Sequence, residues 1–479
     1  MFKTITVTIA VAALAAVDAL AVSATVREVR VKELAAPDTA HRDIPRPRLE
    51  TNGLSPQPDS VRDRMPVTNE TNAPLLVYPV AGEQGSGWGL VYYVDLDPAS
   101  GRKVDFNCGD LTFDGHTGHD PYIRSFREQE IGVPVFAARD GIVSDVHDGE
   151  PDMNTDGNPT AQANYITLVH APGEFTLYVH LRKNSIPFQK GAVVTAGTQI
   201  GLVGSSGESR GPHIHFETQQ NNTPVEPMAG PCRAGASMFR EQHGTAPPAM
   251  VIGTTLSNAS FEGERASPFD RSPRTGTFVR GPRTFYFRTE MVDVSGGSRY
   301  RIRLRPPNSP TFFDAGSGVI MSAGASFASV SWAIEADLSP VGDWMLRLDV
   351  DGDTVAQVPF KVVASQTEVV NRPPNPISAA ITPVGLKTGE VPVCHVVGDV
   401  LADPDFDVVS YRYDWTVNGT SVRSITSAAR TDAIPRQHSA NHAAISCTVT
   451  ASDGVASSQP ATAHAHVGAP ITRRRAVGK

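Results

Sequence analysis

Between residues 75 and 468 the apolar runs are short, and each is closed by Gly, Pro, Asp or Asn. "GIVSDV", "ANYITLVHA", "EFTLYVHL" and "TQIGLVGSSG" show this in the first half, and "RYRIRLRP", "SFASVSWAIEA" and "AAISCTVTASDG" in the second. Period-two alternation between turn residues specifies strands, whereas an amphipathic helix needs a 3.6-residue stripe that these runs lack. The 41 Gly and 38 Pro leave little room for long helices. The expected fold class is mainly β: a compact antiparallel β domain over 75–240, then two β-sandwich domains over 251–364 and 372–468. A length of 479 residues also requires several domains, at roughly 100–200 residues each.

The segments around these domains read differently. Lys3 is followed by "TITVTIAVAALAAVDALAVSA", a basic start, an apolar stretch and small residues suited to cleavage after Ala24. Residues 1–24 are therefore expected to be a signal peptide and the protein to be secreted or periplasmic. Asp18 interrupts the apolar run, and no later stretch could span a bilayer, so no transmembrane anchor is expected. Residues 25–74 are rich in Pro, Asp, Arg and Thr and read as a flexible linker or prosegment. "NRPPNP" is a stiff linker expected to hold the last domain apart, and 469–479 is a basic tail. A net charge of −8 gives no reason to expect nucleic-acid binding.

Secretion changes how the four cysteines read. Four allow three pairings. Cys108 and Cys232 bracket the first domain and Cys394 and Cys447 lie inside the last, so pairing within each set is the simplest choice. Cys394, Trp415 and Cys447 fit the buried Trp beside a bridged pair of an Ig-like sandwich. No CxxC occurs, which argues against a thiolate zinc site.

Three motifs carry the chemistry. "HIHFE" places His213 and His215 on one face of a strand, with Ile214 and Phe216 on the other. "DGHTGHD" supplies His116 and Asp120, a nitrogen and an oxygen donor around a flexible Gly118. "TLYVHL" adds His180, on the same face as Tyr178, with Leu177, Val179 and Leu181 turned inward. Each alone is a weak signal. In order, HxGxD, YxHL, a Gly-rich turn and GPHxHFE resemble the lysostaphin-type (LytM-like) zinc endopeptidases over about residues 75–240.

The resemblance implies that His116, Asp120 and His215 ligate one Zn²⁺ per chain, leaving the fourth position open to water. It implies that His180 and His213 are the catalytic pair, which assists deprotonation of that water and stabilises the oxyanion. The implied substrate and partner is bacterial peptidoglycan, cut in its peptide stems or cross-bridges. Relatives that have lost ligands bind or activate other wall hydrolases instead; all five residues are present here, which favours activity. These motifs do not separate a wall enzyme from a broader secreted protease.

His119 departs from the family pattern of Thr, Ile or Val and is expected to point away from the site, the alternatives being a contact that supports the ligands or a competing ligand. His170 ends "YITLVH" and is a candidate for a supporting role, and the longer segments "PYIRSFREQEIG" and "HDGEPDMNTDGNPTAQA" read as loops that line the groove. The two sandwiches carry no catalytic cluster. They read equally as spacers or as modules for cell-surface binding that raise local concentration on an insoluble polymer.

Overall fold

The computed structural model describes residues 24–33, 76–154, 161–209, 211–245, 247–261, 273–320, 325–399 and 401–469. The signal-peptide expectation, most of the 25–74 segment and the basic tail lie outside these residues. Among the described residues the regular elements are almost all strands, and no helix is long and apolar enough to cross a membrane.

The first body is built on a six-stranded antiparallel sheet. Its order is Thr223–Pro224, His215–Gln220, Glu174–Val179, Tyr165–Ala171, Gly141–His147, Val193–Val194. Two smaller ribbons complete it: Trp88–Tyr92 with Asp120–Ile123, and Pro134–Phe136 with Gln199–Leu202. Ile166, Leu168, Tyr178, Ile214 and Phe216 join Trp88, Leu90, Val135 and Ile200 in one core. Burying each such side chain contributes about 1.5–3 kcal/mol. Cys108 pairs with Cys232, with their Cα atoms 5.2 Å apart. This bridge ties the entry loop to the exit of the domain.

Two local readings of this body change. The segment after Asp120 is not a plain loop: it runs as the strand Asp120–Ile123 and a six-residue helix, Phe126–Ile131, whose N-cap Ser125 accepts from the amide of Glu128. The alternation in "TLYVHL" is also inverted. Tyr178 and Leu181 enter the main core, while Leu177 and Val179 pack with Ala163 on the opposite side of the sheet. The strand ends at Val179, and His180 takes a φ of +62°. That break in the period puts Tyr178 and Leu181, three apart, on the same side.

The middle body pairs two sheets around one core that contains Trp332, Trp344, Phe285, Phe287 and Phe360. One sheet runs Thr277–Val279, Asp353–Val363, Gly342–Val350, Arg299–Arg305, Phe313–Val319. The other runs Ala24–Glu33, Ala325–Asp337, Pro282–Val294, Met250–Ser257. Its first strand corrects the linker expectation for 25–74. Ala24–Glu33 pairs antiparallel with Ala325–Asp337, from Ala24↔Ala336 to Glu33↔Ala328. Composition averaged over fifty residues concealed "TVREVRV", a short stretch with three β-branched valines.

The C-terminal body has a three-stranded and a four-stranded sheet, bridged by Cys394 and Cys447. Trp415 lies directly across from Cys447, fully buried, and its indole N–H donates to Asp432 at 2.8 Å. This body is not held apart. Val391, Ala428, Ala429 and Ala433 belong to the same core as the first body. The amide of Ala428 donates to Gly132 O at 2.9 Å, and that of Arg436 to Ala196 O at 3.1 Å. Arg436 pairs with Asp140, and His395 with Glu83 at 2.8 Å. A Pro-rich linker sets stiffness, not separation; here Arg372 within it folds back onto Asp405 at 2.7 Å.

This packing is testable at Gly197, which has φ +80° and whose added Cβ would lie 2.6 Å from Val391 Cγ1. Gly197→Val should open the seam and expose "NRPPNP" to limited proteolysis at least about tenfold faster than in the parent. Equal cleavage rates would show that the two bodies do not depend on this seam.

Candidate metal centre and flanking histidine pair

The turn that bears the first two donors is shaped by Asp95. Its carboxylate accepts from the amide of Gly115 at 2.9 Å, and its own amide donates to His116 O at 2.8 Å. The Nδ1–H of His116 then donates to Tyr93 O at 2.7 Å. This bond puts the lone pair on Nε2, the nitrogen turned toward Asp120 and His215. Nε2 is 3.2 Å from Asp120 Oδ2 and 3.2 Å from His215 Nδ1, which is itself 3.0 Å from Asp120 Oδ1. On the far side of the His215 ring, Nε2 faces Glu217 Oε2 at 3.6 Å, and Thr117 Oγ1 donates to that carboxylate at 2.6 Å.

Gly118 is required between the donors. A Cβ there would fall 2.6 Å from Phe216 O and 2.7 Å from the His215 ring.

His116, Asp120 and His215 thus present three ligand atoms within 4.8 Å of one another, all buried to 1% exposure or less. The outer nitrogen of His116 is bonded to a carbonyl, and that of His215 faces a carboxylate. This is the arrangement in which histidines serve a metal ion, and the donor set fits one. Electrostatics agree. Burial alone would lift the Asp120 carboxyl, but His116 and His215 hold it well below the usual carboxylate range. Burial would push the His215 imidazole down, but its bonds to Asp120 and Glu217 raise it to about 9.

His180 and His213 lie together, with ring centroids 4.6 Å apart and both side chains fully buried. His180 Nδ1–H donates to Ser206 O at 2.7 Å, and His213 Nδ1–H to Gly211 O at 2.9 Å. Both therefore carry the lone pair on Nε2. The Gly-rich turn "GSSGESRGP" supplies both carbonyls, so it orients the pair as well as reversing the chain.

His119 does not ligate and is not idle. Its Nε2 contacts Glu226 at 2.8 and 3.0 Å, and Glu226 also accepts the amides of Val94 and Met228. Glu217 and Glu226 escaped the sequence reading. A buried histidine beside a ligand needs a partner, and that need is the signal that could have pointed to Glu226. His170 is not at the site. It bonds Asp140 O at 2.6 Å and Thr176 Oγ1 at 2.9 Å, and burial lowers its pKa to about 4.

Residues 125–227 match the model of Peptidase family M23. The chain carries an M23 peptidase domain. The match takes in His180, His213 and His215, while His116 and Asp120 lie just ahead of it. The M23 region is 37% identical over 98 residues to the DD-carboxypeptidase/endopeptidase Mpg of Neisseria meningitidis, covering 20% of each chain. It is equally similar, over the same share of both, to the peptidoglycan DD-endopeptidase ShyA of Vibrio cholerae. The chain thus spans about a fifth of the length of these relatives. The catalytic domain of lysostaphin from Staphylococcus simulans aligns at 24% identity over 29% of this chain and 90% of that one, with a TM-score of 0.20.

Two outcomes follow for the M23 centre. Glu217→Gln should weaken metal affinity about 10–100-fold, the usual cost of losing an outer carboxylate behind a histidine ligand; unchanged affinity in a chelator competition would remove Glu217 from the centre. In the metal-free protein the His215 imidazole is protonated below about pH 9. Metal uptake at pH 7 should therefore release about one proton, and apparent affinity should rise about tenfold per pH unit toward pH 9. Calorimetry in buffers of different ionisation enthalpy measures this, and no proton release would contradict it.

Proposed function

We propose that this protein is a secreted or periplasmic zinc endopeptidase that hydrolyses peptide bonds in the stems or cross-bridges of peptidoglycan. The observation that carries this reading is the convergence of His116, Asp120 and His215, with the tautomer of His116 set, next to a second histidine pair with its own tautomers set. The match to family M23 supports hydrolysis of a peptide bond. The names of the similar relatives, both DD-endopeptidases, support the substrate class. The basic and apolar start of the chain supports export.

His116, Asp120 and His215 would hold the zinc through two nitrogens and one oxygen, a set that this ion takes in catalytic centres with one position left open. When bound, zinc would supply Lewis-acid polarisation of the scissile carbonyl and a lowered pKa for water. His180 and His213 do the proton work. With the lone pair on Nε2, one imidazole accepts the proton of the attacking water. Once protonated, it donates to the leaving amine as the C–N bond breaks. The other, in its imidazolium form with a second proton on Nε2, donates to the carbonyl oxygen as negative charge develops there. The carbonyls of Ser206 and Gly211 brace both rings from behind, so neither must reorient during the reaction.

The test separates metal from proton transfer. The purified protein should hold about one zinc per chain, lose activity on chelation and regain it when zinc is restored. His215→Ala and Asp120→Ala should lose both metal and activity. His180→Ala and His213→Ala should keep the metal and lose about 10²–10⁴-fold in rate on peptidoglycan fragments. Full activity in metal-free protein would overturn the reading, and so would loss of zinc from His180→Ala.

A further inference from the structure

His213 is held from two directions. Its Nδ1–H is bound by the Gly-rich turn, as above. Its ring face is covered by Tyr122, with centroids 4.3 Å apart and planes within 7°. Tyr122 comes from the strand that follows the ligand Asp120, and its backbone forms an isolated bridge with His213. The flat stack fixes the rotation of the imidazole about its χ2, a freedom that the Nδ1 bond alone limits only loosely.

Tyr122 has a support of its own, and it comes from outside the peptidase domain. Phe327 of the middle body approaches its ring at 5.6 Å. Phe327 pairs across the sheet with Val292, which pairs in turn with Met250. This row, with Ile252, packs on Val91, Tyr92, Phe113 and Tyr122 as one buried apolar cluster. The approach is close because Gly89 lies directly across from Tyr122. A Cβ on Gly89 would fall 2.3 Å from Val292 Cγ2. The bare backbone at that position admits the middle body to the strand pair that carries Tyr122.

We propose that Tyr122 is a positioning residue for His213 and that Phe327 completes its seat, so the middle body belongs to the catalytic apparatus. It is not a tether added to a self-sufficient enzyme. The proposal rests on the assignment of His213 as a catalytic residue. Misplacement of a reacting group by about 1 Å costs about 10²-fold in rate. That figure sets the expected effect of removing the stack while leaving the donors to the metal in place.

The experiment uses the full zinc-loaded chain and a soluble peptide-cross-linked muropeptide dimer, so that adsorption to an insoluble wall plays no part. Tyr122→Ala should lower kcat about 10²-fold with KM changed less than about threefold and zinc content unchanged. Tyr122→Phe, which keeps the ring, should recover most of that loss, and Tyr122→Leu, which keeps bulk without the flat face, should not. Phe327→Ala, a change wholly within the middle body, should lower kcat about tenfold, again with zinc retained. Parent-level kcat in Tyr122→Ala, or equal kcat in the Leu and Phe variants, overturns the role of Tyr122. Parent-level kcat in Phe327→Ala overturns the role of the middle body, and that variant decides the matter if Tyr122→Ala does not fold. His213→Ala, run alongside, keeps the two readings distinct: its full activity would dismiss the catalytic assignment itself.

Discussion

Two backbone hydrogen bonds organise the site. The amide of His119 donates to Phe216 O at 2.8 Å, and the amide of Phe216 donates back to His119 O at 2.9 Å. This bridge joins a turn carrying His116 and Asp120 to a strand carrying His213 and His215, nearly a hundred residues later in the chain, and the Tyr122–His213 bridge continues it. The side chains on either side of the bridged residues then have little choice of place. Gly118 is the cost of so close an approach, since any side chain would meet Phe216 O or the His215 ring. The buried pair His119–Glu226 secures the same turn from below, at 0% exposure for both side chains. Burying two ionisable groups is unfavourable unless their remaining atoms are also bonded. Glu226 meets that condition through the amides of Val94 and Met228.

The gathering of the candidate residues was readable in the sequence because they lie in short motifs whose order is informative. Three donors and two histidines in HxGxD, YxHL and HxH all converge. What was not readable is whatever depends on contact between distant segments. Glu217 stood inside a quoted motif, yet its role appears only when its distance to His215 Nε2 is known. His180 breaks the period of its strand through a positive φ, so the rule that assigns faces by alternation failed for Leu181, which joins Tyr178 in the main core. The error over Ala24–Glu33 has a different origin. A strand needs only a few suitable residues and a free edge to join, and the edge was supplied by residues some three hundred positions away.

The strand-rich stretches were legible one by one, but their mutual packing was not. Small residues such as Ala428, Ala429 and Ala433 give no sign in a sequence that they cap another domain's core. Gly89, Gly197 and Gly118 mark the same phenomenon from the other side. Each is a place where two segments approach more closely than a Cβ allows.

The three bodies therefore form one structural unit around the peptidase domain, and this changes what a catalytic core means for the chain. The C-terminal body contributes apolar surface to the peptidase core and closes it with Arg436–Asp140 and His395–Glu83. The middle body reaches the aromatic stack on His213 through Phe327. Stacking and apolar contact act over short distances and fall away once a gap opens. A displacement of the middle body too small to disturb the metal donors would still release the ring that holds His213. In such an architecture the three candidate donors are secured locally, by bonds within the first body, while the seat of the His213 ring depends on how the whole molecule is assembled.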